Sequence, residues 1–224
     1  AKIVADNEAL FEASKMNVKA YFESNPSQEA LVEHFIGRMV NERMNMVEIA
    51  QTIANLPANT DPVELALLSK QAHDEAVHFR LVKEVIEHIK GEKIDVEAAI
   101  AAEAAKPTAK GAALLAKYEA ESDEAALAAY QLVAEGRAEA VWNTMAECIE
   151  DSFVSGAYAK IAKDEGFHAK IGARKLEQLM KSDDDRAHAL DLIARMRKDL
   201  YEISCLNTTA AEEGKKLVAD AYGW

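Results

Sequence analysis

The chain is poor in cysteine and in the residues that break helices. Its 224 residues include nine glycines, four prolines and two cysteines. So few helix breakers, together with abundant alanine and glutamate, predict an all-helical protein. Cys148 and Cys205 form no Cys-x-x-Cys pair. This excludes a cysteine-ligated zinc site or a rubredoxin-type iron site, and it suggests a reducing compartment.

Basic residues and long apolar runs are also scarce. There are 26 lysines and arginines against 39 acids, which gives a formal net charge of −13. A surface of this charge repels phosphate backbones and therefore disfavours nucleic acid as a partner. No signal peptide is recognisable, and the apolar runs are too short to span a bilayer. We therefore expect a cytoplasmic protein with no membrane partner.

No low-complexity linker divides the chain, so we expect one domain over residues 1–224. Ser27 is the predicted N-cap of a long helix. Asp61, Pro62 and Glu64 form a second helix start, and Gly91 is the expected stop of that helix. The predicted helices cover about 4–23, 28–55, 62–90, part of 95–118, 122–150 and 152–180, with further helices from about 183.

One motif, Asp-Glu-x-x-His, occurs twice in the chain. Residues 73–80 read HDEAVHFR and residues 163–170 read KDEGFHAK. The Glu-x-x-His spacing places both side chains on one face of a helix. The motif residues are Asp74, Glu75 and His78 in the first copy, and Asp164, Glu165 and His168 in the second.

A glutamate also interrupts the apolar stripe of the helix that precedes each motif. Glu42 lies between Met39 and Met46 in the first case, and Glu135 follows Leu132 in the second. Isolated buried carboxylates cost several kcal/mol each, so these acids need a neutralising partner. Four carboxylates and two neutral imidazoles balance the charge of two divalent cations. We therefore expect a two-metal site.

These residues resemble the ferritin-like di-iron carboxylate superfamily over about 28–90 and 122–180. The sequences EGRAEAVWN and KDEGFH are most similar to the corresponding helices of the cyanobacterial aldehyde-deformylating oxygenases. The resemblance implies a four-helix bundle with a long crossover and additional N- and C-terminal helices. Glu75 and Glu165 would bridge the metals, while Asp74 and Asp164 would each orient the other motif's histidine. The implied ligands are Glu42, Glu75, His78, Glu135, Glu165 and His168.

The resemblance also implies a function. The expected cofactor is a pair of Fe ions, with Mn/Fe as an alternative, and carboxylate-rich sites favour these metals. We expect a di-iron oxygenase or oxidase that activates O₂ and oxidises a small, apolar organic substrate. An external electron donor is expected, because no flavin, nicotinamide or iron–sulfur motif is present. The alternatives are a ferroxidase or peroxide-scavenging ferritin-like protein, and a tRNA hydroxylase, which the net charge disfavours. A homodimer is left open.

Two further residues are candidates for catalysis. Glu139 lies one helical turn after Glu135 and departs from the apolar residue of the related oxygenases. It could be a seventh ligand, a proton donor or the partner of a base such as Arg43. Tyr158 lies seven residues before Glu165 and is either a redox tyrosine or a buried structural phenol.

Other acids and histidines are expected to have ordinary roles. His34, His73 and His88 lie off the apolar stripes, and we expect them to be solvated. The sequence from Asp184 to His188 resembles a ligand motif, but its position predicts a helix start.

Overall fold

A computed structural model describes residues 5–106, 114, 117, 124–204 and 212–224. All regular secondary structure in these ranges is helical and none of it is strand, so the all-α prediction is confirmed. Cys205 and most of residues 107–123 lie outside the described residues. The helices are α1 (Glu8–Glu23), α2 (Gln28–Asn55), α3 (Pro62–Lys90), α4 (Val96–Ala104), α5 (Glu124–Cys148), α6 (Ser152–Leu179), α7 (Asp183–Ser204) and α8 (Glu212–Tyr222).

The two best-predicted helices begin and end at the expected signals. The Ser27 side chain accepts a hydrogen bond from the Ala30 amide at the start of α2. The Asp61 side chain accepts a hydrogen bond from the Val63 amide at the start of α3, where Pro62 is the first helical residue. Gly91 ends α3 in the left-handed conformation, with φ of 71°, which glycine adopts without steric cost. None of the described helices is long and apolar enough to cross a membrane.

The chain forms two compact units. The hairpin unit is Pro26–Ala116, and the terminal unit combines Ala1–Asn25 with Lys117–Trp224. We describe each unit by itself. The single domain and the ferritin-like bundle stay predictions.

The hairpin unit is built on the antiparallel pair α2 and α3. The Gln28 side-chain amide, at the start of α2, donates to the carbonyl oxygen of Ile89, at the end of α3, over 2.6 Å. The shorter α4 packs against α2, where Gly37 faces the carboxylate of Glu103. The apolar side chains buried in this unit include Phe35, Met39, Ile49, Leu68, Val82, Val85 and Ile86.

The terminal unit is built on α5 and α6, which pack along each other. At their connection the Ser155 hydroxyl donates to the Ala146 carbonyl over 2.7 Å. α1 packs against α5, and there the Arg137 side chain donates to the Ser14 hydroxyl over 2.9 Å. α8 packs against α1, and α7 against α5. Glu135 and the second Glu-x-x-His motif therefore belong to one packed helix pair.

Helix α5 contains a π-helical turn. It consists of Glu124–Tyr130, the π turn Gln131–Glu135, and Gly136–Cys148. A Cβ atom added at Gly172 of α6 would lie 2.4 Å from the Ala128 carbonyl oxygen. The same atom would lie 2.8 Å from the Leu132 amide nitrogen, so the close approach of α6 to this turn requires glycine. The sequence analysis did not predict this turn, and π turns are frequent at functional sites.

Candidate metal centre

The hairpin unit holds three ionisable side chains in its core: Glu42 of α2, and Glu75 and His78 of α3. We call them the first ligand group. All three are buried, with His78 and Glu75 fully so. The His78 Nδ1 atom lies 3.4 Å from Glu42 Oε2 and 3.8 Å from Glu75 Oε2. Each residue offers one ligand atom within 4.8 Å of those of the other two, so the group is able to hold a metal ion.

The terminal unit holds the equivalent set: Glu135 of α5, and Glu165 and His168 of α6. We call them the second ligand group. All three are buried to 2 % exposure or less. The His168 Nδ1 atom lies 3.2 Å from Glu165 Oε2, and the three ligand atoms again lie within 4.8 Å of one another. Glu135 is the last residue of the π turn, which sets the position from which its carboxylate enters the core.

The chemistry of both groups suits a divalent cation. Each contains two carboxylates and one imidazole, so its charge is −2 when the histidine is neutral. Bringing two carboxylates into a core without compensation is strongly destabilising. A divalent ion held by such a group would offset that cost. The donor set of carboxylates and imidazole, without thiolate, is typical of iron and manganese sites.

A lysine–aspartate ion pair precedes each Glu-x-x-His motif on the same helix. On α3 the Lys70 ammonium group donates to Asp74 Oδ2. On α6 the Lys160 ammonium group donates to Asp164 Oδ2 over 2.7 Å. The sequence analysis missed both lysines, although aligning the two motifs shows the longer pattern Lys-x-x-x-Asp-Glu-x-x-His. The predicted orientation of the histidines by the aspartates stays a prediction.

The Glu139 carboxylate lies against the backbone of α6. A Cβ atom added at Gly166 would lie 2.4 Å from Glu139 Oε1 and 3.0 Å from Oε2. Gly166 directly follows Glu165, so the half-buried Glu139 lies next to the second ligand group without being one of its three members. Glycine at 166 is what makes room for this carboxylate. Its ligand, proton-donor and salt-bridge roles stay predictions, and Arg43, the suggested partner, is exposed.

Tyr158 is fully buried in the terminal unit. Its ring stacks on that of Trp142, with a centroid distance of 5.1 Å and an interplanar angle of 21°. Tyr158 lies seven residues before Glu165, which corresponds to about 10 Å along α6. The stack fits a structural phenol and equally a redox tyrosine, so the catalytic role stays a prediction.

The other histidines and acids mostly follow expectation. His73 and His88 are exposed as predicted. The prediction for His34 is wrong: the ring is partly buried against Phe35, and burial, with a smaller effect of Arg38, lowers its pKa to about 3. The stripe analysis missed it because His34 lies beside the apolar stripe rather than on it. The acids from Asp183 lie in the first turn of α7, which confirms the predicted helix start.

Comparisons with known proteins found no family model, no curated protein and no solved structure that matches this chain.

Proposed function

We propose that the protein is a non-haem di-iron oxidoreductase of the oxygenase type, built as a ferritin-like bundle. Each ligand group would hold one ion, so that a chain binds two. The proposed reaction is the activation of O₂ to oxidise a small, apolar organic substrate. The observation that carries the proposal is the occurrence of two buried groups, each with two glutamates and one histidine.

The burial of these groups favours a metal over a purely structural network. A structural network would leave two carboxylates and one imidazole in each core, and one proton shared with the histidine would balance only one of the two negative charges. The uncompensated charge is expensive in an environment of low dielectric constant. A divalent ion balances both charges. Because the unfolded chain has no preformed site, the ion would bind only the folded chain. Its binding free energy would therefore add to the free energy of unfolding.

The protein's own residues prepare the site in three ways. The glutamates and neutral histidines would supply six ligands, three in each group. Asp74 and Asp164 orient ligands. The buried apolar neighbours keep water away and strengthen the electrostatic interactions of the ligands; they include Met39, Ile49, Leu132 and Ile161. Two bound ferrous ions would supply electrons to O₂, and an external donor would restore them.

An anaerobic titration with Fe²⁺ followed by O₂ tests the proposal. We expect about two ions per chain by metal analysis, and oxidation of an added substrate by product mass. Failure to bind two ions would overturn the metal assignment. Ferric iron without an organic product would instead indicate a ferroxidase, and consumption of added peroxide a peroxide scavenger. Modification of an RNA, rather than of a small molecule, would indicate a tRNA hydroxylase.

The matched variants are His78→Ala and His168→Ala. Each removes one imidazole from one ligand group and leaves the other group intact. A chain in which both are replaced is the negative control, because neither group then keeps its nitrogen ligand. Circular dichroism on the same samples shows whether the helices are retained, so that loss of metal can be separated from loss of fold.

A further inference from the structure

We propose that Lys70 and Lys160 each bias the neighbouring ligand group toward a divalent over a trivalent ion. The inference rests on the proposed function, since it concerns the same metal site. It assigns a role to two residues outside both ligand groups.

The position of each pair is set by helix geometry. Lys70, Asp74 and His78 follow one another at steps of four residues on α3, so they lie along one side of the helix. The lysine side chain is 47 % exposed, that of Asp74 is 10 % exposed, and that of His78 is fully buried. The row therefore leads from solvent to the first ligand group. The lysine charge lies at its outer end.

The same row occurs on α6. Lys160 is 51 % exposed and Asp164 is 16 % exposed, while His168 is fully buried. The residues between lysine and aspartate differ, Gln-Ala-His on α3 and Ile-Ala-Lys on α6. Two sequences that differ in this way place the same ion pair in the same register. This repetition is a second, independent observation in favour of a role at the metal site.

The charges explain what the lysine does. The two glutamates of the first ligand group contribute −2, Asp74 adds −1, and Lys70 returns +1, with His78 neutral. The sum is −2, which matches one divalent ion. Without the lysine the sum is −3, which matches a trivalent ion. Beside the second ligand group, Glu139 adds one more carboxylate, so the sum there is −3 with Lys160 and −4 without it. Removing Lys160 therefore shifts the preference toward a trivalent ion by one unit charge, as removing Lys70 does.

The size of the effect follows from Coulomb's law. The lysine repels a trivalent ion more strongly than a divalent ion, and the difference in energy equals the repulsion between two unit charges. Lys70 lies five residues before Glu75 and eight before His78, which is about 8–12 Å along the helix. With an effective dielectric constant of about 20 and a Debye length of about 10 Å, removing the lysine favours the trivalent ion by about 2- to 5-fold.

The experiment measures the ratio of the Kd for Mn²⁺ to the Kd for Tb³⁺ in 0.1 M salt. Lys70→Met and Lys160→Met remove the charge and keep most of the side chain. The control is Lys90→Met at the end of α3, where the lysine pairs with Glu92 about 18 Å beyond His78 along the helix. We expect the ratio to rise about 2- to 5-fold in the two test variants, and less than 2-fold in the control.

A charge-restoring variant distinguishes this role from a structural one. Lys70→Met combined with Asp74→Asn returns the sum to −2, so the ratio should return toward that of the wild type. Lys70→Arg should keep the wild-type ratio. Equal ratios in Lys70→Met, Lys160→Met and Lys90→Met would overturn the inference while leaving the metal site in place. A wild-type chain that binds neither ion would instead overturn the proposed function.

Discussion

The close approach of α6 to the π turn of α5 can be tested with the substitution Gly172→Ala. The added Cβ atom would lie 2.4 Å from the Ala128 carbonyl oxygen, 2.6 Å from the Gln131 Cβ and 2.8 Å from the Leu132 amide nitrogen. An ordinary contact begins near 3.4 Å, so the two helices would have to separate by about 1 Å. None of these atoms is the end of a flexible side chain, and no rotamer change can relieve the clash.

The magnitude is the difference of two terms. Forcing one methyl group into a well-packed contact costs about 1–3 kcal/mol. Replacing glycine by alanine inside a helix raises the free energy of unfolding by about 0.5–1 kcal/mol. We therefore expect Gly172→Ala to lower the free energy of unfolding by up to about 2.5 kcal/mol. Because the π turn ends at Glu135, the same change should also weaken binding of metal to the second ligand group.

Gly156→Ala is the matched control on the same helix. A Cβ atom at this exposed position would meet nothing within 4 Å, so only the helix-propensity gain of about 0.5–1 kcal/mol remains. Both tryptophans, Trp142 and Trp224, belong to the terminal unit, so their fluorescence during urea unfolding reports on this unit. The helix-propensity gain is common to both variants, so they should differ by the clash alone, about 1–3 kcal/mol. If Gly172→Ala is as stable as Gly156→Ala, the close approach of the helices is refuted.

Four further predictions concern ionisable residues. His78→Ala and His168→Ala should each lose at least one of the two ions in metal analysis, and full occupancy would disprove the ligand assignment. Asp74→Asn should retain its circular dichroism but bind metal about 10- to 100-fold more weakly; unchanged affinity would contradict the orienting role. Glu139→Ala should keep both ions yet alter the reaction with O₂ in stopped-flow spectra, and identical traces would exclude this residue from the chemistry. The pKa of His34 is about 3 in the folded chain and about 6.5 in the unfolded chain. As the pH falls, the unfolded chain therefore binds the proton at a higher pH than the folded chain does, which favours unfolding. Between pH 6.5 and the folded pKa of about 3, stability should fall by up to about 1.4 kcal/mol per pH unit, and His34→Gln should flatten this dependence in urea titrations.

The helices could be predicted because their ends are encoded locally. Ser27, Asp61 and Gly91 each satisfy or terminate backbone groups near them in sequence, and these interactions do not depend on distant packing. The buried acids and histidines of each unit could be predicted for a similar reason, since a glutamate or histidine within an apolar stripe is conspicuous, whereas their role as ligands stays a prediction. In both cases a short stretch of sequence contained the whole signal.

The features that escaped prediction depend on contacts between helices. Gly166 and Gly172 look like ordinary weak points of a helix until the opposing atoms of α5 are known. The π turn at Gln131–Glu135 leaves no local mark, because its cost is offset by packing rather than by a capping residue. The partial burial of His34 likewise depends on its surroundings in the fold. One missed feature was visible in the sequence: the lysines appear when the two motifs are aligned over a longer window.

The two ligand groups share a motif but differ in the residues around them. Relative to the motif, Met46 corresponds to Glu139, and Ala76 corresponds to Gly166. The two differences depend on each other, because a side chain at 166 would collide with the Glu139 carboxylate. The second ligand group therefore has an extra acid, Glu139, beside it only because residue 166 has no side chain. With an ion proposed in each group, the surroundings of the second would then be more negative than those of the first.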